Sequence, residues 1–210
     1  MTSNRIKKTG ILSKLLEQGI KIFLKKECNK IDNLKIDIIA SSLQIIKGVI
    51  PKIHIKASDI NYKNLLFDEI ELEADDVKIL LKKNNKELDF ENNLIINLKI
   101  SLSETSLKNI LFSKNWNWIG DIISNEISNQ VKLEDIKIEN DKIFFETSNK
   151  RQTINKNEKF DIKTEDGKLY LKNKAYRKSI QIPIEDKIFF KNVNIHNDLI
   201  KLSAESSISF

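Results

Sequence analysis

The sequence predicts an α+β fold: a strongly curved antiparallel β-sheet meander wrapped around a long N-terminal helix, with a helical pair in mid-chain. Three observations carry this expectation. Segments of alternating apolar and polar residues recur from residue 34 to the C-terminus, as in strands with one buried face. Residues 11–26 place apolar side chains at the helical period over an arc of roughly 220°. Between residues 103 and 130 the period switches back to that of helices. The count is about ten strands against roughly three helices, and a single sheet of that size must curl to hide its apolar face. No Gly-, Pro- or Ser-rich linker divides the chain, so residues 1–210 read as one domain.

The first element is the helix over about residues 10–27. Ile11, Leu12, Leu15, Leu16, Ile20, Ile22, Phe23 and Leu24 fill its apolar arc, while Lys14, Glu17, Gln18, Lys21 and Lys25 take the narrow remainder. An ordinary surface helix needs an apolar stripe of only about 100°, so the wider arc implies clasping by a curved sheet or residence in a membrane interface. Gly19 lies within the arc and suggests a close backbone approach there, since a helical Gly costs about 1 kcal/mol relative to Ala.

Strands follow. Residues 34–38 alternate, and "SSLQIIKGVIP" is either a short helix or an irregular edge. Residues 50–74 read as a hairpin turning at Asn61–Leu65, with Ile53, Ile55, Ala57, Ile70, Leu72 and Ala74 on its apolar side. Residues 77–83 read as another strand, ending in a polar loop at Asn84–Glu87. The cleanest strand is 94–102, with Leu94, Ile96, Leu98, Ile100 and Leu102 in strict period two. Ser103, Thr105 or Ser106 then caps a helix bearing Leu107, Ile110 and Leu111, and a second helix carries Trp118, Ile119, Ile122, Ile123 and Ile127. Strands resume at 131–139 and 142–148, and residues 149–159 read as a polar basic loop. Glu165–Asp166–Gly167 makes a hairpin turn, and Pro183 marks an edge or a bulge in the closing strands.

Hydrophobic residues make up 40% and charged residues 31%, which fits a folded chain and argues against wholesale disorder. The net charge of +6 fits lysine-rich solubilisation or an anionic partner. A lone cysteine, Cys28, forbids an intramolecular disulfide. No apolar run reaches spanning length, and the basic N-terminus lacks a small-residue cleavage site. A cytoplasmic chain, or one peripheral on the cytoplasmic face of a membrane, is the expectation.

Catalytic and metal patterns are scarce. His54 and His196 each sit on the polar phase of a strand with no ligand-spaced partner, and read as solvated. Glu69, Glu71 and Glu73 are the wet side of a strand unless something perturbs them. With five glycines in all, there is no phosphate-cradling loop. Strand aromatics sit among aliphatics, and acidic residues share the polar faces with lysines, which argues against nucleic acid. Trp116 and Trp118 either anchor at a membrane surface or pack, with Trp118 inward and Trp116 covering it. The chain reads as non-catalytic, with no cofactor and no metal.

From about residue 34 onward the sequence resembles the LmeA-like phospholipid-binding family, long catalogued as a bacterial domain of unknown function. The resemblance lies in "QIIKGVIPKIHIKASDINYKNLLF" (44–67), "IELEADDVKI" (70–79), "LKISLSETSLKNIL" (98–111) and "IPIEDKIFFKNVNIHNDLIKLSAE" (182–205). The family's turn glycine is Asn64 here, and Asn also tolerates positive φ. The resemblance implies a tubular lipid-binding (TULIP-type) fold, in which a bent sheet wraps a long helix around an apolar groove. It also implies lipid binding without catalytic residues.

Together these readings predict a lipid-binding or lipid-handling protein for phospholipid or glycolipid, peripheral on anionic membrane. Leu12, Leu15, Leu16, Phe23, Ile53, Ile55, Ile70, Leu72, Leu98, Ile100 and Trp118 are the expected acyl-chain contacts. Lys7, Lys8, Lys14, Lys21, Lys25, Lys26 and Trp116 are the expected headgroup contacts. The alternative is a scaffold with a packed interior whose strand edges bind a protein partner.

Overall fold

The structure, a computed structural model, describes residues 10–81, 88–90, 94–128, 131–149, 152–174 and 177–208. It is α+β, with antiparallel strands dominant. In chain order the elements are α1 (Ile11–Glu27), β1 (Lys30–Ile39), α2 (Ser42–Ile46), β2 (Val49–Tyr62), β3 (Leu65–Leu81), β4 (Leu88–Phe90), β5 (Leu94–Ser103), α3 (Glu104–Leu111) and α4 (Asn117–Ile127). There follow β6 (Val131–Glu139), β7 (Lys142–Asn149), β8 (Gln152–Glu165), β9 (Lys168–Asn173), β10 (Lys178–Gln181), β11 (Ile188–His196) and β12 (Leu199–Ile208).

The strands divide into two sheets where the sequence implied one. The first runs β1-β2-β3-β5-β12-β11, with β4 on β3; the second runs β10-β9-β8-β7-β6. Alternation fixes which face of a strand is apolar but not which strands pair. Residues 77–83 are no separate strand: β3 continues through a left-handed kink at Asp76 (φ 51°) to Leu81, and 82–83 lie outside the described residues. The expected loop at 149–159 is instead the β7–β8 hairpin, where Thr147 pairs with Lys156 and Asn149 with Gln152. Residues 149–159 are nearly all polar, so they leave no hydrophobic alternation to read. The turn residues behave as expected, with Asn64 at φ 67° in the β2–β3 turn and Asp166–Gly167 at φ 48° and 75°.

Register aligns the apolar face of the first sheet in rows. Ile36, Ile55, Leu72, Leu98, Ala204 and Phe190 pair successively from β1 to β11, and Ile38, Ile53, Ala74 and Ile96 form the next row. Two main cores rest on this face. The larger gathers α3, α4, the second sheet and the ends of β5, β11 and β12 around Ile136, Ile143, Phe145 and Phe160, all essentially inaccessible. The smaller lies under α1 and α2, around Ile38, Ile50, Ala74 and Val77. A small third cluster of Leu169, Phe190 and Ala204 joins the sheets near β9.

Local chemistry fixes the helices between these layers. Ser103 caps α3 by accepting the Ser106 N–H at 3.2 Å. Glu104, in the first turn of α3, accepts the Ile138 N–H of β6 at 2.8 Å and pairs with Lys108 at 3.0 Å. Lys108 in turn reaches Asp135 at 2.9 Å. Ser41 and Gln44 form a capping box on α2. Gly48 is required at the next turn: it stands at φ 71°, and an added Cβ would meet the Ile79 carbonyl at 2.1 Å.

Candidate functional site

α1 is held by one side only. Among its neighbours it packs on β1 and α2, so the sheet does not clasp it as the width of its apolar arc implied. Leu16 and Ile20 enter the smaller core, and Leu12 and Leu24 are half-buried. Ile11 (79%), Leu15 (63%), Ile22 (69%) and Phe23 (60%) are exposed, forming a stripe roughly 120° wide at 100° per residue. Gly19 lies within this stripe, and a Cβ built on it meets nothing within 4 Å. The expected close approach is therefore absent among the described residues; the arc records apolar character, not a partner. Leu43 and Ile46 of α2 are exposed as well, so these two helices hold half of the exposed large apolar side chains among the described residues.

The lysines of α1 differ from those of the sheets. Lys14, Lys21 and Lys25 follow one edge of the stripe, Lys26 lies within it, and none of the four pairs with a carboxylate among the described residues. On the sheets, several lysines pair across strands, Lys52 with Glu73 at 2.8 Å, Lys99 with Glu71 at 3.3 Å, Lys142 with Asp161 and Lys191 with Glu205, while Lys35, Lys132 and Lys201 pair with no carboxylate among the described residues. Lys7 and Lys8 lie outside the described residues.

Of the apolar residues singled out on the strands, Ile53 packs against the smaller core, Ile100 against the larger and Leu98 against the third cluster. Ile55, Ile70 and Leu72 are half-buried and pack against none of the three, so a strip of β2 and β3 is left part-open. The tryptophans reverse the expected order. Trp116 packs against the larger core and donates its indole N–H to the Lys63 carbonyl at 2.9 Å, whereas Trp118 is exposed. An indole that finds both an apolar wall and a backbone acceptor outcompetes its neighbour for the inward position.

Two grooves lie over the polar face of the first sheet. One, of about 870 Å³, is lined by Asp37, Lys52, His54, Glu71 and Glu73, with Glu17 and Gln44 at its rim; the other, of about 720 Å³, holds Lys56, Glu69, Lys99 and Lys201. The first also takes in Ile38, Ile39, Ala40 and Pro51, so its wall is mixed apolar and charged, while the second is also lined by Ile70, Ile100, Leu199 and Leu202. His54, read as solvated, sits between Glu71 (Nε2 to Oε1, 3.1 Å) and Asp37 (Nδ1 to Oδ2, 3.8 Å), a cross-strand encounter invisible at sequence spacing. That contact, ahead of Lys99, holds the Glu71 carboxyl below its ordinary range. His196 is exposed. Burial, with Glu27 beside it, pushes the Cys28 thiol upward, away from the thiolate a nucleophile needs. Among the described residues no His, Cys, Asp and Glu cluster has metal-binding geometry, and no helix is long and apolar enough to cross a membrane.

No protein-family model matches the chain, and no curated protein and no solved structure matches it either.

Proposed function

We propose that this chain is a non-catalytic lipid-binding protein that docks peripherally on anionic membrane through α1 and α2. The observation that carries the reading is the exposed Ile11–Leu15–Ile22–Phe23 stripe beside unpaired Lys14, Lys21 and Lys25. Moving one such apolar side chain out of water yields about 1.5–3 kcal/mol, and each lysine at an anionic surface adds about 1 kcal/mol. An interfacial helix has this make-up: a strong apolar side, a cationic rim and too few residues to span. The part-open strip at Ile55, Ile70 and Leu72 supports contact with a lipid chain there, and kinship with the LmeA-like, TULIP-type proteins fits the same reading. A protein partner paired on the β1 edge is less favoured. Two register breaks and a left-handed Asn33 (φ 47°) interrupt that strand, which blunts it as a template.

Co-sedimentation with vesicles tests the reading. The protein is expected to pellet with phosphatidylglycerol vesicles, to ignore phosphatidylcholine vesicles, and to release as salt rises. Leu15→Asp with Ile22→Asp, both on open surface, is expected to weaken binding at least about tenfold with the fold intact. A wild-type chain that stays in the supernatant, or a folded double variant that binds undiminished, overturns it.

A further inference from the structure

α1 is apolar in one direction and buried in another. Its full apolar arc, from Ile11 round to Leu24, is centred roughly opposite the Lys14–Lys21–Lys25 row at 100° per residue. Its burial direction is different. It is marked by Ser13, the one fully buried residue of the helix, about 90° from the centre of the arc at the same period. The side turned to the protein is accordingly held by polar bonds as much as by packing. Ser13 Oγ donates to the Ala40 carbonyl at 2.8 Å, and Glu17 Oε1 accepts the Ile38 N–H of edge strand β1 at 3.1 Å. A helix whose burial was set by its own apolar side would not place Ser13 and Glu17 inward and Leu15 and Ile22 outward.

We infer that α1 is a releasable strap: on an anionic bilayer it rolls by about a quarter turn, breaks the Ser13 and Glu17 bonds, and uncovers Ile38 and the β1 side of the smaller core. The inference rests on the membrane reading above and adds a conformational step to it. Rolled in this way, the whole arc enters the interface and the lysine row faces the headgroups. The sequence is balanced about that orientation and not about its seat on β1. The hinge is Cys28–Asn29, where the Asn29 N–H bonds the Asn61 carbonyl at 2.8 Å and keeps the C-terminal end of α1 tethered. The other end has no side-chain N-cap but lies close against α2, where a Cβ on Gly10 would meet Ser42 Oγ at 2.4 Å, so the Ser13 bond is the latch that must open there. Once α1 has rolled away, the uncovered Ile38 lies beside the adjoining row of Ile36, Ile55 and Leu72.

Residue-level hydrogen exchange on the full chain, with and without phosphatidylglycerol vesicles, tests the strap. Vesicles are expected to speed exchange of the Ile38 amide at least about tenfold while the Phe160 amide stays protected. Equal protection of Ile38 in free and sedimented protein overturns the strap but leaves membrane docking standing. Failure to sediment at all overturns both. Ser13→Ala loosens the latch without touching the exposed stripe, so it is expected to tighten vesicle binding about threefold or more. A folded Ser13→Ala chain that binds no better than wild type also overturns the strap.

Discussion

The two ends of the first sheet are covered in opposite ways. At the β11–β12 end, α3, α4 and the second sheet enclose Ile136, Ile143, Phe145 and Phe160, with Phe145 and Phe160 edge-to-face at 5.6 Å between centroids. At the β1 end, α1 and α2 rest on the sheet, and α1 leaves Ile11, Leu15, Ile22 and Phe23 exposed. Several lysines of the sheets pair across strands, whereas none of those on α1 pairs with a carboxylate among the described residues. The first cover is closed within the chain and the second is left open to solvent. Apolar character alone does not separate them; what separates them is whether the chain supplies the partner.

Substitutions at the two ends break or sharpen that contrast. The largest effect is expected at Phe160→Ala, where a cavity in the larger core costs about 3–5 kcal/mol by urea unfolding, against less than about 0.5 kcal/mol for Ile22→Ala. Equal costs at the two positions would erase the distinction. Next comes Glu104→Ala, which leaves the Ile138 N–H without its acceptor and costs about 1–3 kcal/mol. That backbone bond, ahead of Lys108, holds the Glu104 carboxyl below its ordinary 4.5. Its stabilisation is therefore complete above pH 4.5 and lost as pH falls through the lower folded value, so the variant should show a shallower acid limb than wild type.

A smaller change of opposite sign is expected at Thr147→Val. The Thr147 hydroxyl is buried without a hydrogen-bond partner, and an isosteric methyl should gain about 1 kcal/mol. The smallest is Gly19→Ala, which meets open space on a helical backbone and should add about 0.5–1 kcal/mol. A loss at Gly19 would mean that something approaches α1 there in solution, and would bring the two ends closer in kind.

Parts of this arrangement were legible in the residues. Strict alternation at 94–102 marks β5, Ser103 marks the start of α3, and Asp166–Gly167 marks the β8–β9 turn. The division into two sheets was not, because period two assigns faces and leaves pairing open. The candidate site was half legible. The arc of α1 and its lysines stand out at the helical period, but the direction it turns to β1 depends on Ser13 and Glu17, two polar residues that periodicity discounts. His54 beside Glu71 and Asp37 could not be foreseen, since the three meet only when β1, β2 and β3 pair.

The Glu17 carboxylate has a consequence for the chain's own solubility. By occupying the outward N–H of Ile38 it seals one rung of a ladder that would otherwise end in free donors. A chain lacking its first 27 residues would leave that donor open to water and to other chains, and lower solubility than the full chain is the expected consequence, tempered by the register breaks that already blunt β1.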